Sequence, residues 1–579
     1  MGSARDEESY ELVIPISYGS TEVVETGKWG FQKPYTTFMT APCQEACPAG
    51  VNIPQFLYLT QEKRYDEALF SILRENPFPG VCGRVCFHPC EASCHRAQYD
   101  EAVSIQAMER FISDVTSNHI QDFRLMSNRD SKKVAVVGAG PAGLSCAYFL
   151  SLLGHPVTLF EAKKEPGGVM RWGIPEYRLP KSVLRKEIER ILTLPIEMRT
   201  GIRVGRDIPF DALNEFDAVF LSPGAGRNAP LLIKGGHSER VWEGGDFLGR
   251  INSKEKINLG KVAMVIGGGN TAMDVARSAL RLGSKVTIAY RRTRSEMPAI
   301  QDEIIEAEEE GVHFEFLVQP VKINLTQKKR LAVTFQRMKL SSLDQSNRPK
   351  PIPVKGDFLT METDSLITAV GELVDLFWIP QKLIKDDLID SSSVPKIFAG
   401  GDAIAQPRTI VTAIASGKRA AISIDSFFRG DGKSSDLSKV SVGGKGSLSM
   451  ESYLQGRDKG DGPEKKEVVS YQQINTLYFE PSRRVRMRKR HRDKALKGFS
   501  EVNLGYHTKA AILSASRCFS CGTCNSCYNC YFFCPEGVVS FDPVDRTRVV
   551  DYLHCKGCGT CAKACPRHGV EMREVIWQE

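Results

Sequence analysis

Apolar and polar positions follow their most regular pattern between Lys132 and Glu161, KKVAVVGAGPAGLSCAYFLSLLGHPVTLFE. The β-branched run VAVV leads into Gly138-Ala-Gly140-Pro141-Ala142-Gly143; a helical apolar pattern follows, and a second strand, VTLF, ends on Glu161. The period switches from strand to helix to strand, which predicts a βαβ unit. Gly138 permits a tight turn, Gly140 lets a pyrophosphate approach the backbone, and Gly143 lets helix pack on strand. The helix N-terminus offers free N–H groups to phosphate. Glu161, 18 residues past Gly143, is placed to accept hydrogen bonds from ribose hydroxyls. The pattern predicts a dinucleotide site; the plain alternative is a glycine-rich structural turn.

The pattern continues with Gly167-Gly168-Val-Met-Arg-Trp-Gly173-Ile-Pro, a loop able to close over a cofactor, and with a buried strand and turn at 217–226, DAVFLSPGAG. It then repeats. Strand VAMVI leads to Gly267-Gly-Gly269-Asn270-Thr271-Ala272, a helix, and the strand Lys285–Tyr290. Ala272 replaces the third glycine, an accepted variant. Where the first unit has an acid, the second has Arg291-Arg292. Guanidinium groups there favour a 2′-phosphate, so this site is expected to prefer NADP(H). If the arginines are only solvated, NAD(H) serves equally. The segments Asp364–Gly371 and Ile397-Phe-Ala-Gly400-Gly401-Asp402 read as the return of the first fold. Asp402 is then aimed at ribityl hydroxyls, and Thr409 opens a helix whose N–H groups face an isoalloxazine ring. An NAD(P)H domain inserted in an FAD domain accounts for this order.

Outside this core, residues 1–40 read as a surface arm and 431–470, rich in Gly, Ser and Lys, as a linker. The linker region, taken to 505, includes the basic run 483–492, read as a solvated or phosphate-facing segment. Docking of an acidic protein is its second reading and nucleic acid its third, because no stacking aromatics interleave the charges.

At 579 residues, with 42% hydrophobic and 25% charged residues and a net charge of +8, the chain has the composition of a globular protein of several domains. No run of about 18 apolar residues appears, and the acidic start MGSARDEESYELVIP is not a secretory signal, so a cytoplasmic location is expected. Of the 17 cysteines, six lie in 43–94, ten in 518–565, and Cys146 stands alone as a small buried residue. Clusters of this kind read as metal ligands, not disulfides. Cys43-x3-Cys47-Pro and Cys82-x3-Cys86-x3-Cys90-x3-Cys94 suggest iron–sulfur ligation, with zinc the alternative. His88 and His95 read as surface or packing residues. The tail carries Cys524-x2-Cys527-x2-Cys530-x3-Cys534-Pro and Cys555-x2-Cys558-x2-Cys561-x3-Cys565-Pro, the two-cluster ferredoxin pattern. Each fourth Cys then serves the other cluster: Cys524, Cys527, Cys530 and Cys565 hold one [4Fe–4S], and Cys555, Cys558, Cys561 and Cys534 the second.

The Cys arrays, GAGPAGL, GGGNTAMD, YRR followed by Glu296-Met-Pro-Ala299, and AGGDA stand in one order over about 40–430. That order resembles the NADPH-oxidising small subunit of bacterial glutamate synthase and its relatives, some of which carry an appended ferredoxin module. The resemblance implies an α/β protein: a helical iron–sulfur domain (41–128), an FAD domain (129–244 and 364–430) interrupted by an NAD(P)H domain (245–363), and a ferredoxin-like α+β domain (506–579). It implies one N-terminal cluster on Cys47, Cys86 and Cys90, with Glu109 as fourth ligand. The family's leading CxxC falls here near Tyr35 and Phe38, so Cys43 and Cys94 need two further thiols. Cys518 and Cys521, in RCFSCG, are expected to supply them, from the same chain or a dimer partner. Cys82 is left without a role.

These parts imply hydride transfer between NAD(P)H and FAD and single-electron transfer through [4Fe–4S] clusters, with no catalytic side chain demanded. The substrate chemistry is then expected on another chain, a redox partner protein or ferredoxin. An electron-bifurcating subunit is the alternative within this class, and a non-enzymatic iron–sulfur interaction module the alternative outside it.

Overall fold

The computed structural model describes residues 24–575 except 38, 117–130, 232, 237, 345–346, 431–436, 460–466 and 545. The acidic first stretch, 1–23, lies outside the described residues. The chain forms two compact units.

The larger unit comprises Thr40–Tyr471 and Glu480–Ser520. Its first sheet runs Ile397–Ala399, Ala218–Leu221, Val134–Val137, Val157–Glu161, Ile196–Thr200, all parallel. Val134–Val137 and Ala218–Leu221 are buried at every position, as expected of parallel strands covered on both faces. Helix Pro141–Leu152 follows the first strand with Pro141 in its first turn, where a missing N–H costs nothing. The long helix Ile410–Phe428 packs on it.

A second parallel sheet runs His313–Phe316, Lys285–Tyr290, Val262–Ile266, Ser365–Thr368, Val241–Glu243. One expectation is corrected here. Ser365–Thr368 does not return to the first sheet; it pairs with Val262–Ile266 and Val241–Glu243. The inserted domain thus needs this strand to fill its own sheet, and the chain re-enters the first sheet only at Ile397. Between His313–Phe316 and Ser365–Thr368 in sequence lies an antiparallel meander, Val318–Leu325, Leu331–Leu343 and Pro349–Thr363.

The segment read as a linker is also corrected. Ser441–Val442 pairs with Ser447–Leu448, helix Met450–Lys459 follows, and Val440, Val442, Leu448, Met450 and Tyr453 are buried. Glu75 holds this helix in place, accepting from Ser449 Oγ at 2.7 Å, Met450 N at 2.9 Å and Glu451 N at 3.2 Å. The basic run is partly paired while staying at the surface: Arg484 pairs with Glu91, Lys489 with Glu306 at 3.0 Å, and Arg492 Nε donates to the Glu310 carbonyl at 3.2 Å. Arg483, Arg486 and Arg488 remain exposed.

The smaller unit comprises Met1–Met39, Gln472–Phe479 and Cys521–Glu579. Its core is Cys530, Val539, Cys561 and Val570, beside the hairpin Val539–Phe541/Arg548–Val550. The arm expected on the surface is instead built in: Gln32–Thr36 pairs antiparallel with Val570–Glu574. Buried Lys33 donates to the carbonyls of Gly27 and Cys555, both at 2.6 Å. The pairing covers an edge that the last strand would otherwise expose.

Candidate cofactor and electron-transfer sites

The first fingerprint opens on a cleft of about 1750 Å³, mouth included. It brings together Gly138, Gly140, Pro141, Ala142, Glu161, Gly168, Gly401 and Asp402. A Cβ on Gly168 would lie 2.8 Å from the Gly140 Cα, so the two glycines leave a channel bounded by backbone. Gly143 lies behind this surface; its Cβ would sit 1.8 Å from the Gly138 carbonyl, so its role is helix–strand packing. Glu161 accepts from Ala139 N and Lys163 N, both at 2.8 Å, which fixes its carboxylate at the strand end.

The cleft fits FAD by its polar atoms. Asp402 Oδ1 is buried with no hydrogen-bond partner among the described residues, and such an acceptor costs about 1–3 kcal/mol unless a donor reaches it. Burial raises the Asp402 pKa, Arg408 opposing, and Glu372 across the cleft is raised by burial and by Asp402. A ribityl hydroxyl is a donor of the right kind. The indole N–H of Trp172 is likewise buried without an acceptor. Trp172, Glu372 and Trp378 line the cleft and were not singled out in the sequence; Trp172 sits within the glycine-rich loop that was. Thr409 does not line it. Its hydroxyl caps the helix, accepting from Thr412 N at 3.2 Å, and Ala413, one turn in, forms the wall instead.

In the second unit, Gly269 is open to its surroundings and N-caps helix Asn270–Arg281. Asn270 Oδ1 accepts from Ile300 N at 2.9 Å, tying the fingerprint to the Met297–Ala299 loop, and Thr271 follows it in the first turn. Ala272 is fully buried, and a Cβ on Gly267 would meet the Ala369 carbonyl at 2.3 Å; both are packing positions. The arginine pair divides. Arg291 is exposed at the strand end. Arg292 is 2% exposed, pairs with Asp344 and donates through Nε to the Pro349 carbonyl at 2.8 Å. The expectation that both meet a phosphate is therefore corrected: Arg292 braces the meander.

The N-terminal cysteines lie on short helices and their caps. Cys43 is in Pro42–Ala46 and Cys47 ends it; Cys82 is in Pro79–Val85 and Cys86 ends it; Cys90 is in Pro89–Ala92 and Cys94 N-caps the next turn. Among the described residues, no three or more His, Cys, Asp or Glu side chains are grouped to hold a single metal ion. Instead, Cys47, Cys82, Cys86, Cys90 and Glu109 line one recess of about 420 Å³, its open mouth included, walled by Val51, Ile53, Phe56, Ile105 and Val411. Cys82, unassigned in the sequence, is thus part of this wall. Burial pushes the Cys47 thiol up to about 11, with Glu109 adding and Lys418 opposing. Burial also raises Cys86 and Cys90, and holds Glu109 at about 8, with Asn76 Nδ2 donating to it at 2.8 Å. Buried thiols ringing an apolar space fit an iron–sulfur cluster, whose iron supplies the counter-charge that thiolates here would need. His88 N donates to Cys86 Sγ at 3.3 Å, a backbone bond to sulfur of the kind that tunes such clusters. His88 also lines the cavity, while His95 packs edge-on against Tyr471.

Cys43 neighbours Cys90 electrostatically, and Cys94 neighbours Arg517. Arg517 fastens its segment to 96–102, donating to Asp100 Oδ1 at 3.0 Å and to the carbonyls of Glu101 and Ala102 at 2.6 and 3.2 Å. Cys518 therefore enters the region of Cys94, with Ser520 N donating to its sulfur at 3.3 Å.

In the smaller unit, burial pushes Cys530 up to about 12; Arg548 lowers it, and Cys524, Cys527 and Cys565 raise it. These are the four thiols expected to share one cluster. Cys561 is raised by burial, lowered by Arg548, and raised by Cys555 and Cys558. Cys534 packs on the common core. Cys521 is buried, and Cys527 and Cys558 are exposed.

Two nucleotide folds in one unit, a thiol cavity and a two-cluster module define an iron–sulfur flavoprotein oxidoreductase. Residues 132–417 match the pyridine nucleotide-disulphide oxidoreductase family, 37–120 the 4Fe-4S domain II of dihydropyrimidine dehydrogenase, and 523–570 the 4Fe-4S dicluster domain. The chain is 37% identical over 524 residues to NADPH-Fe(3+) oxidoreductase subunit beta of Geobacter sulfurreducens, spanning 83% of this chain and 75% of that one. It is 38% identical over 434 residues to NADP(+)-dependent formate dehydrogenase subunit beta of Moorella thermoacetica (68% and 61%). It is 33% identical over 451 residues to the glutamate synthase [NADPH] small chain of Escherichia coli (72% and 93%). The chain belongs to the family of these NADPH-linked iron–sulfur flavoprotein subunits, and its cofactors are FAD, NADP(H) and [4Fe–4S] clusters.

Proposed function

We propose that this chain is the electron-transfer subunit of a larger redox complex, carrying electrons between NADPH and a partner protein that holds the substrate chemistry. One observation carries this reading. The first turn of helix Ile410–Phe428 walls both sites: Val411 lines the thiol cavity and Ala413, two residues on, lines the flavin cleft. Bound FAD supplies the step that matters, taking hydride and releasing electrons singly. The chain's residues orient and insulate. Gly138, Gly140 and Gly168 admit the pyrophosphate, Glu161 and Asp402 accept from ribose and ribityl hydroxyls, and Gly269 opens the second helix to NADPH.

In this reading Cys47, Cys86 and Cys90 with Glu109 hold the cluster beside the flavin. Cys43, Cys94 and Cys518 belong to a second. The eight thiols of the ferredoxin motifs hold two more. Among the described residues, no helix is long and apolar enough to cross a membrane.

NADPH-dependent reduction of a two-electron dye by the purified chain tests the enzyme reading; absence of turnover in FAD-replete protein would refute it. Arg291 sets the nucleotide preference. Arg291→Ser is expected to raise the KM for NADPH about tenfold, the loss of about 1.4 kcal/mol expected of one exposed charge-assisted bond, and to leave the KM for NADH unchanged.

A further inference from the structure

Lys418 lies two turns into the helix that separates the flavin cleft from the thiol cavity. Its side chain is 1% exposed. Nζ donates to the Ala49 carbonyl and to Glu75 Oε2, both at 2.5 Å. Ala49 is two residues past Cys47, in the loop that Ser447 Oγ also grips through the carbonyls of Cys47 at 2.8 Å and Glu45 at 3.0 Å. The ammonium is therefore fixed between the Cys47 loop and Glu75. Glu75 is shared among several donors, since Ser449 Oγ, Met450 N and Glu451 N also bond to it.

A buried ion pair is a poor way to gain stability, because desolvating both charges offsets their attraction. Holding a loop carbonyl needs only a neutral donor. A positive charge placed in a low-dielectric interior, however, acts strongly on any nearby centre that gains an electron. Cluster potentials respond to local charge, burial and hydrogen bonding.

We propose that Lys418 tunes the potential of the cluster held by Cys47, with its ammonium favouring the reduced cluster and so drawing electrons from the flavin side, while Glu75 moderates the effect. This rests on the assignment of Cys47, Cys86, Cys90 and Glu109 as a cluster site. Lys418 is a tuning residue and not a ligand.

EPR-monitored redox titration of the full chain tests it, with iron per protein measured for each variant. Lys418→Met is expected to lower the midpoint of the N-terminal cluster, shifting the flavin–cluster electron distribution at least tenfold, about 59 mV for a one-electron couple. Glu75→Gln keeps an oxygen for Lys418 but removes the opposing charge, so the midpoint rises. Lys418→Arg restores the wild-type value. Opposite shifts for Lys418→Met and Glu75→Gln are what a purely structural role does not produce. Midpoints unchanged in both variants, or displaced in the same direction, overturn the proposal. Should Lys418→Met fail to fold, the sign of the Glu75→Gln shift decides. Failure of the cluster assignment shows separately, as an iron content in Cys47→Ser that does not fall by one cluster relative to the wild type.

Discussion

Serine at position 47 is expected to leave the flavin reducible by NADPH while cutting the flow of electrons to the ferredoxin module. Cys47 ends its short helix with its thiol in the cavity shared by Cys86, Cys90 and Glu109. A hydroxyl is a poor iron ligand beside a thiolate, so the substitution removes one of the three thiolates that hold the cluster. The flavin cleft shares no cysteine with that cavity. Two readouts should therefore separate. Dye reduction directly from the flavin persists, whereas NADPH-dependent reduction of the C-terminal clusters falls by orders of magnitude. Iron analysis should show the loss of one cluster. Equal retention of both activities would remove Cys47 from the electron path.

How much of this could be read from sequence depended on whether a constraint was local. The fingerprints were legible because turn, backbone approach and helix packing are enforced within a few residues, as at Gly138, Gly140 and Gly143. The ferredoxin motifs were legible for the same reason. Ser365–Thr368 was placed in the wrong sheet because a short, fully buried run such as SLIT carries no mark of which parallel sheet it completes. Arg292 read as a phosphate contact because its partner, Asp344, lies 52 residues on, in a meander without a motif. Gly and Ser between 440 and 459 gave a linker composition, yet Val440, Val442, Leu448, Met450 and Tyr453 there are buried. The arm at 32–36 completes an edge formed by 570–574, a partnership between nearly opposite ends of the chain. Trp172 and Glu372 lacked a spacing rule; burial against the cleft identified them.

Arg277→Met is expected to lower the stability of the larger unit by about 3–5 kcal/mol, the cost of breaking a buried charge network by removing one partner. The Arg277 side chain is fully buried and meets Glu303 at 2.8 Å, Glu306 at 2.9 Å and Glu310 at 2.8 Å. Arg281 adds to Glu310 at 2.6 Å, and both guanidinium groups lie over the Tyr177 ring, at 4.8 and 3.8 Å. Arg178 reaches from the flavin domain to Asp274 at 2.7 Å and Glu303 at 2.8 Å. The network thus joins the flavin domain to helix Asn270–Arg281, which opens on the second fingerprint, and a weaker network should also raise the KM for NADPH. Acid dependence gives a second check. Burial works against ionisation of Glu310, but hydrogen bonds from Arg281 and Arg277 override it and hold the carboxyl at about 2, below its ordinary 4.5. A depressed carboxyl contributes stability that is complete above the unfolded pKa and is lost as pH falls through the folded one. The wild type should therefore lose this contribution between about pH 4.5 and 2, and Arg277→Met should start lower and lose less over that window. Thermal unfolding across pH measures both.

The central claim is that electrons enter as a pair at the nicotinamide site and leave singly through clusters on both sides of the nucleotide domains in sequence. Anaerobic titration with NADPH, followed by flavin absorbance and low-temperature EPR, tests it most directly. The account predicts flavin bleaching together with reduced-cluster signals, reached at lower NADPH than NADH. Bleached flavin with clusters that stay EPR-silent, yet are reduced by dithionite, would contradict it, because NADPH would then not be the source of the electrons the clusters carry.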